Sequence, residues 1–138
     1  MNKSHLLILV MLGVMTTFNL VAQHQVEVTI KNVQELKGTI RVSLFNNDQD
    51  FLKKAMESKT LSASASGTAV VFNVKPGTYA VSVIHDVNDN KELDKGFMGI
   101  PQEPYGFSND ARGKFGPPSY ESAKFAVAGD VKISIKVE

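Results

Sequence analysis

The chain has 138 residues, 43% apolar and 21% charged, with 15 basic against 14 acidic residues and no cysteine. That apolar fraction argues against a disordered chain, and the even charge against a nucleic-acid binder, which needs a basic excess to release counterions. Absent cysteine excludes a disulfide framework, a thiolate nucleophile and a zinc–thiolate site, and a length under about 150 residues points to one domain.

Lys3, the apolar run Leu6 to Met15 and the small residue Ala22 before a polar start have the order of a secretory signal peptide. The run is short for about 30 Å of hydrocarbon and is soon interrupted by Thr16, Thr17 and Asn19, so no membrane span is expected in the mature form. Cleavage after Ala22 removes Lys3 and leaves a neutral, exported protein, periplasmic or extracellular. No cysteine follows for lipid attachment. The reading is residues 1–22 as signal peptide and 23–138 as a single β-sandwich domain.

From Gln25 onward the apolar period is two. Val26, Val28 and Ile30 form a first strand and Ile40, Val42 and Leu44 a second, with residues 33–38 short enough for a hairpin. Phe51 to Glu57 is the one helical candidate, two turns at most, and Ser62 to Gly67 reads as a small-residue loop. Val70, Phe72 and Val74 form another strand, closed by Pro76-Gly77 as in a type II turn. Tyr79 to His85 is apolar on both faces, as in a central strand, and Phe125, Val127, then Val131, Ile133, Ile135 and Val137 end the pattern. Six strands are expected, seven if Thr60–Ala63 pairs. The fold class is all-β: a single antiparallel sandwich, Ig-like or prealbumin-like, with one long ordered loop at 86–122 and at most one short helix.

That loop shows no strand pattern, yet it carries Phe97, Tyr105, Phe107, Phe115 and Tyr120, which give it apolar surface to bury. A structureless run of such length is usually functional or disordered, and the aromatics argue for order. At its start Asp86, Asn88, Asn90 and Asp94 place oxygen side chains at positions 1, 3, 5 and 9, with Glu92 offering a carbonyl. Such a loop can aim several oxygens at a hard cation such as calcium, Ca²⁺. Asx turns in which Asp and Asn cap their own backbone explain the same residues without metal. Lys91 stands where such loops usually carry Gly, and no bidentate Glu follows.

His85 shares parity with Val81 and Val83 and is expected as a hydrogen-bonded histidine at the end of the core, since Asp86 points to the other face. Farther on, Tyr105, Phe107, Asn109 and Arg112 could form a surface for a glycan, a peptide or another ligand, or the aromatics could be the loop's own small core.

The stretch Pro76 to Asp86, then Asn88, Asn90, Leu93-Asp94, Gly99-Ile100-Pro101, Glu103 to Asn109 and Phe115-Gly116-Pro117-Pro118, resembles the exported bacterial "domain of unknown function 2141" proteins. The resemblance implies a secreted Ig-like or transthyretin-like sandwich and no named activity. The Pro-Gly-Thr-Tyr strand followed by an Asp/Asn loop is also similar to carboxypeptidase-regulatory-like and collagen-binding B-type modules. The histidine–arginine–histidine pattern of transthyretin-like hydrolases is absent, so their activity is not implied. The functional expectation is a non-enzymatic binding or structural module with a ligand, glycan or protein partner. The alternative is a small periplasmic hydrolase using His85 with loop carboxylates; separately, Glu92, Glu103 and Glu121 could approach in space as paired carboxylates for glycoside chemistry.

Overall fold

The computed structural model describes residues 20–63 and 69–138. The signal-peptide reading falls almost wholly on residues outside these, as does most of the small-residue loop at 62–67.

Among the described residues eight strands form two sheets. In one, β1 (His24–Lys31) is central, flanked by β4 (Ala69–Val74) and β8 (Val131–Lys136). In the other, β3 (Glu57–Ser62), β2 (Thr39–Phe45), β5 (Gly77–Asp86) and β6 (Tyr105–Phe107) follow in that order. A short β7 (Phe125–Val127) pairs with the start of β5. All pairings are antiparallel except β1 with β8, which is parallel. Alternation along these strands builds the core between the sheets. Val26, Val28 and Ile30 meet Ile40, Val42 and Leu44, with Phe72, Val81, Val83 and Ile135, all buried. Ile133 packs against them half-buried. This is an all-β sandwich.

Several connections differ from the sequence expectation for one reason: neighbours along the chain lie in different sheets. The 33–38 segment carries the chain from β1 across to β2, so it is a crossover and not a hairpin. Lys75 and Pro76 carry it from β4 to β5 in the same way. Gly77 is therefore the first residue of β5, paired with Val127, and not the left-handed corner of a type II turn.

The expected helix at 51–57 is also absent. Seven residues make a marginal helix in isolation, and here competing contacts pull them apart. The Asn47 side chain accepts from the Asp50 amide at 2.8 Å, and the Asp50 carbonyl accepts from Lys53 and Lys54, each at 2.9 Å, closing a turn. Phe51 is buried, Leu52 is left-handed at φ 59°, and Glu57 already belongs to β3. The short helix that does form, α1 (Tyr120–Ala123), is capped by the Ser119 hydroxyl and lies within the long excursion.

That excursion is more regular than its sequence suggests. β6 pairs with β5 through Ser82–Phe107, Val83–Gly106 and Ile84–Tyr105. The main chain of Tyr105 also exchanges hydrogen bonds with Glu138, beyond β8, at 3.2 and 3.3 Å. β6 thus ties one sheet to the other. The approach requires Gly106, since a Cβ there would lie 2.1 Å from the Lys136 carbonyl oxygen.

The face assignment of β5 gives a paired expectation. Val83 is fully buried between the sheets while Ile84 points outward, half-buried. Val83→Asp leaves an unpaired buried charge, costing about 3–5 kcal/mol, and should unfold the domain. Ile84→Asp should still melt cooperatively. Equal loss of melting temperature in both would overturn the assignment.

Candidate functional site

The loop after β5 is built around its own backbone. Chain leaving a sheet edge has amide N–H groups that still need acceptors, and two buried carboxylates supply them. Asp86 accepts from the amides of Asn90 at 3.1 Å and Lys91 at 2.7 Å. Glu103, coming from the far side of the excursion, accepts from Val87 at 2.9 Å and Asp94 at 3.2 Å. The oxygens of Asn88 and Asn90 each accept from the amide two residues on, which is the Asx turn. Both asparagine side chains also donate to the Asp94 carboxylate.

Asp86, Asn88, Asn90 and Asp94 are thus brought together, and Glu92 contributes its amide to Asn90. Among the described residues no group of three or more His, Cys, Asp or Glu side chains is arranged to hold a metal ion. Lys91 takes the left-handed conformation at φ 68°, the place where Gly would sit without strain. Sequence reasoning named Glu103 only as one of three loop carboxylates. Its position between two prolines, Pro101 and Pro104, was the available signal for a fixed role.

His85 is fully buried, and its Nε2 lies 2.9 Å from the Lys37 carbonyl. A carbonyl only accepts, so Nε2 carries the proton, and Nδ1 has no partner among the described residues. An imidazole with no solvent exposure cannot meet a substrate arriving from water. Glu103 is committed to the loop amides, so His85 and this carboxylate do not meet at an open surface.

The aromatics divide. Phe107 and Tyr120 join Phe45, Phe51, Ala80, Ala111 and Ala123 in a second core on the outer face of β2 and β5. Phe51 packs edge-on to Phe45 and Tyr120, with centroids 5.3 and 5.7 Å apart. Burial holds the Tyr120 hydroxyl above the ordinary tyrosine range, and that hydroxyl donates to the Thr78 carbonyl at 3.0 Å. Phe97 and Phe115, by contrast, are almost fully exposed and belong to no core. The loop's aromatics are therefore not a core of its own.

Beside this cluster the outer face is left open as a cleft of about 1180 Å³. Its floor holds Ser43 and Ser82, directly paired across β2 and β5, with Phe45 and Phe107 from the aromatic cluster among its lining. The 92–101 and 113–117 segments line it too, and Leu52 and Lys53 come from the turn before β3. Met98, Ile100 and Phe115 hold apolar side chains exposed there.

Of the expected ligand surface, Tyr105 and Phe107 line the cleft, 5.7 Å apart edge-on. Asn109 does not. Its amide donates to the carbonyls of Ser122 and Lys124 and holds the chain before α1. Arg112 lies over the Tyr105 ring and pairs with Glu138. The four are not one surface. No helix among the described residues is long and apolar enough to cross a membrane.

The family described as "Uncharacterized protein conserved in bacteria (DUF2141)" matches residues 28–135, from the second half of β1 to β8. The chain belongs to the DUF2141 family. No curated protein and no solved structure matches it. The DUF2141 match includes the whole excursion, with both buried carboxylates and the cleft-lining segments.

Within this DUF2141 chain the carboxylate of Glu103 is the testable anchor. Glu103→Gln keeps the shape but leaves one acceptor oxygen for two amides, removing a bond of about 1.5–3 kcal/mol. The expected result is lower stability together with faster hydrogen exchange at Val87 and Asp94. Unchanged exchange at both amides would show that the loop is held elsewhere.

Proposed function

We propose that this chain is an exported, non-enzymatic β-sandwich that binds a ligand in the cleft on the outer face of its five-stranded sheet, in the periplasm or outside the cell. The observation that carries the reading is a cleft with a floor of small serines whose lining leaves Met98, Ile100 and Phe115 exposed to water. Soluble proteins seldom keep contiguous apolar surface open without a use for it. Export is supported by the charge, apolar run and small residue at the start of the sequence.

Nile red, a neutral apolar dye, is the probe. It should bind with one-to-one stoichiometry. Ser82→Trp, which fills the floor, should abolish binding. Phe115→Ser, on a fully exposed position that leaves the fold untouched, should weaken it roughly tenfold, since a lost aromatic contact is worth about 1.5 kcal/mol or more. Full binding by both folded variants would overturn the cleft as the site.

We propose further that calcium binds weakly at Asp86, Asn88, Asn90, the Glu92 carbonyl and Asp94, stiffening the segment that leads into the cleft. Support comes from the convergence of Asn88 and Asn90 on the Asp94 carboxylate, where an amide rotation would present oxygen in place of N–H. Two carboxylates imply a dissociation constant of about 10⁻⁴–10⁻³ M. At about 10 mM calcium, ten times the weaker value, linkage adds roughly 1.4 kcal/mol, visible as a raised melting temperature that Asp94→Ala removes. No shift at that concentration leaves the loop held by its Asx turns alone.

A further inference from the structure

We infer that the cleft takes a single-chain anionic amphiphile, with an acyl tail against its apolar side chains and a carboxylate or phosphate head among Arg41, Lys53, Lys95 and Lys114. The inference rests on the cleft being a ligand site and adds the chemistry of what it holds.

Charge is the first argument. The whole chain carries a formal charge of only +1, yet four cations line this cleft against one carboxylate, Glu92. Some basic side chains elsewhere meet acids, as Lys37 does with Glu35 at 2.9 Å, Lys124 with Glu121 at 2.6 Å and Lys132 with Glu27 at 3.7 Å, whereas the cleft gathers four that do not. Among the described residues Arg41, Lys53, Lys95 and Lys114 have no carboxylate partner. Arg41 reaches only the Lys91 carbonyl, at 3.5 Å. Like charges gathered around one cleft repel one another, and an anionic head would relieve that.

The apolar side is the second argument. Met98 and Ile100 are 83% and 62% exposed and Phe115 is fully so, beside those cations. Leu52 and Met98 both hold the left-handed conformation at φ 59°, an unfavourable state for residues with a Cβ that clusters at active sites, ligand clamps and switches, although Asn32, Asp89, Lys91, Asn109 and Asp110 share it away from the cleft lining. A cation alone would not need these side chains, nor would an inorganic anion. A volume of about 1180 Å³ lies somewhat above the roughly 300–1,000 Å³ of small-molecule sites. It leaves room for one molecule with a tail as well as a head.

Calorimetry on the purified chain compares laurate below its micelle concentration, monododecyl phosphate, dodecanol and dodecyltrimethylammonium, which share a tail and differ in the head. Laurate and the phosphate ester should bind one-to-one, roughly tenfold tighter than the cationic amphiphile, with the preference shrinking at high salt. Combined Lys53→Glu, Lys95→Glu and Lys114→Glu, all exposed positions, should erase that preference and leave dodecanol within about twofold. Lys75→Glu, outside the cleft, should change nothing. Equal affinity for all four heads with Nile red still bound would overturn the anionic head and leave the cleft reading intact. Loss of Nile red binding as well would overturn both. Sedimentation with phosphatidylglycerol vesicles without laurate binding would mean a membrane-surface contact and also overturn it.

Discussion

Backbone amides that leave a sheet must find acceptors, and this structure rests on how two carboxylates meet that demand. Asp86 sits at the end of β5 and Glu103 arrives seventeen residues later, and between them they take four amides of the 87–94 turn. Both carboxylates are buried, at 5% and 7% exposure, so these bonds form in a medium of low dielectric where they are strong and costly to break. The turn brings Glu92, Leu93 and Lys95 against the outer face of the sheet. That fastening holds the early part of the excursion, as β6 and the aromatic cluster hold its later part.

The central strands β2 and β5 are covered along their inner face and only in part on their outer face. Their inner side chains meet β1, β4 and β8 in a continuous apolar core. Their outer side chains meet the aromatic cluster at one end, through Phe45 and Ala80. Elsewhere on that face small serines stand in register, so depth remains where larger residues would fill the space. The cleft is the part of the outer face that the excursion lines without filling. A ligand there would complete a burial that the chain itself leaves unfinished.

The same geometry separates structural from recognition roles among residues that look alike in sequence. His85, Glu103, Asn109 and Tyr120 are all polar residues with chemistry to offer, and each is spent on internal hydrogen bonds. Arg41 and the three cleft lysines look like ordinary surface charges. They differ in being gathered around one cleft that holds a single carboxylate, Glu92, a property of three-dimensional neighbourhood.

Local pattern by itself determined most of the strands, though not β6. Period-two alternation in Val26–Ile30, Ile40–Leu44, Val70–Val74 and Ile133–Val137 identified which side chains face inward, because a strand's geometry is set by its own residues. The family resemblance was legible as well, being carried by motifs along the chain. The convergence of Asp86, Asn88, Asn90 and Asp94 could be read from their spacing, since such turns close within a few residues. What depended on distant partners was decided by the tertiary structure. Which strands pair is one case: β1 beside β8 in parallel, and β1 and β2 in separate sheets, involve pairings up to 105 residues apart. β6 is another, since three residues form a strand only because β5 and Glu138 offer their edges. The 51–57 segment lost its helical period to the burial of Phe51 in an aromatic cluster assembled from three regions of the chain. The cleft belongs to the same class. Its floor, apolar side and cations come from separate elements, and no spacing along the chain encodes their meeting.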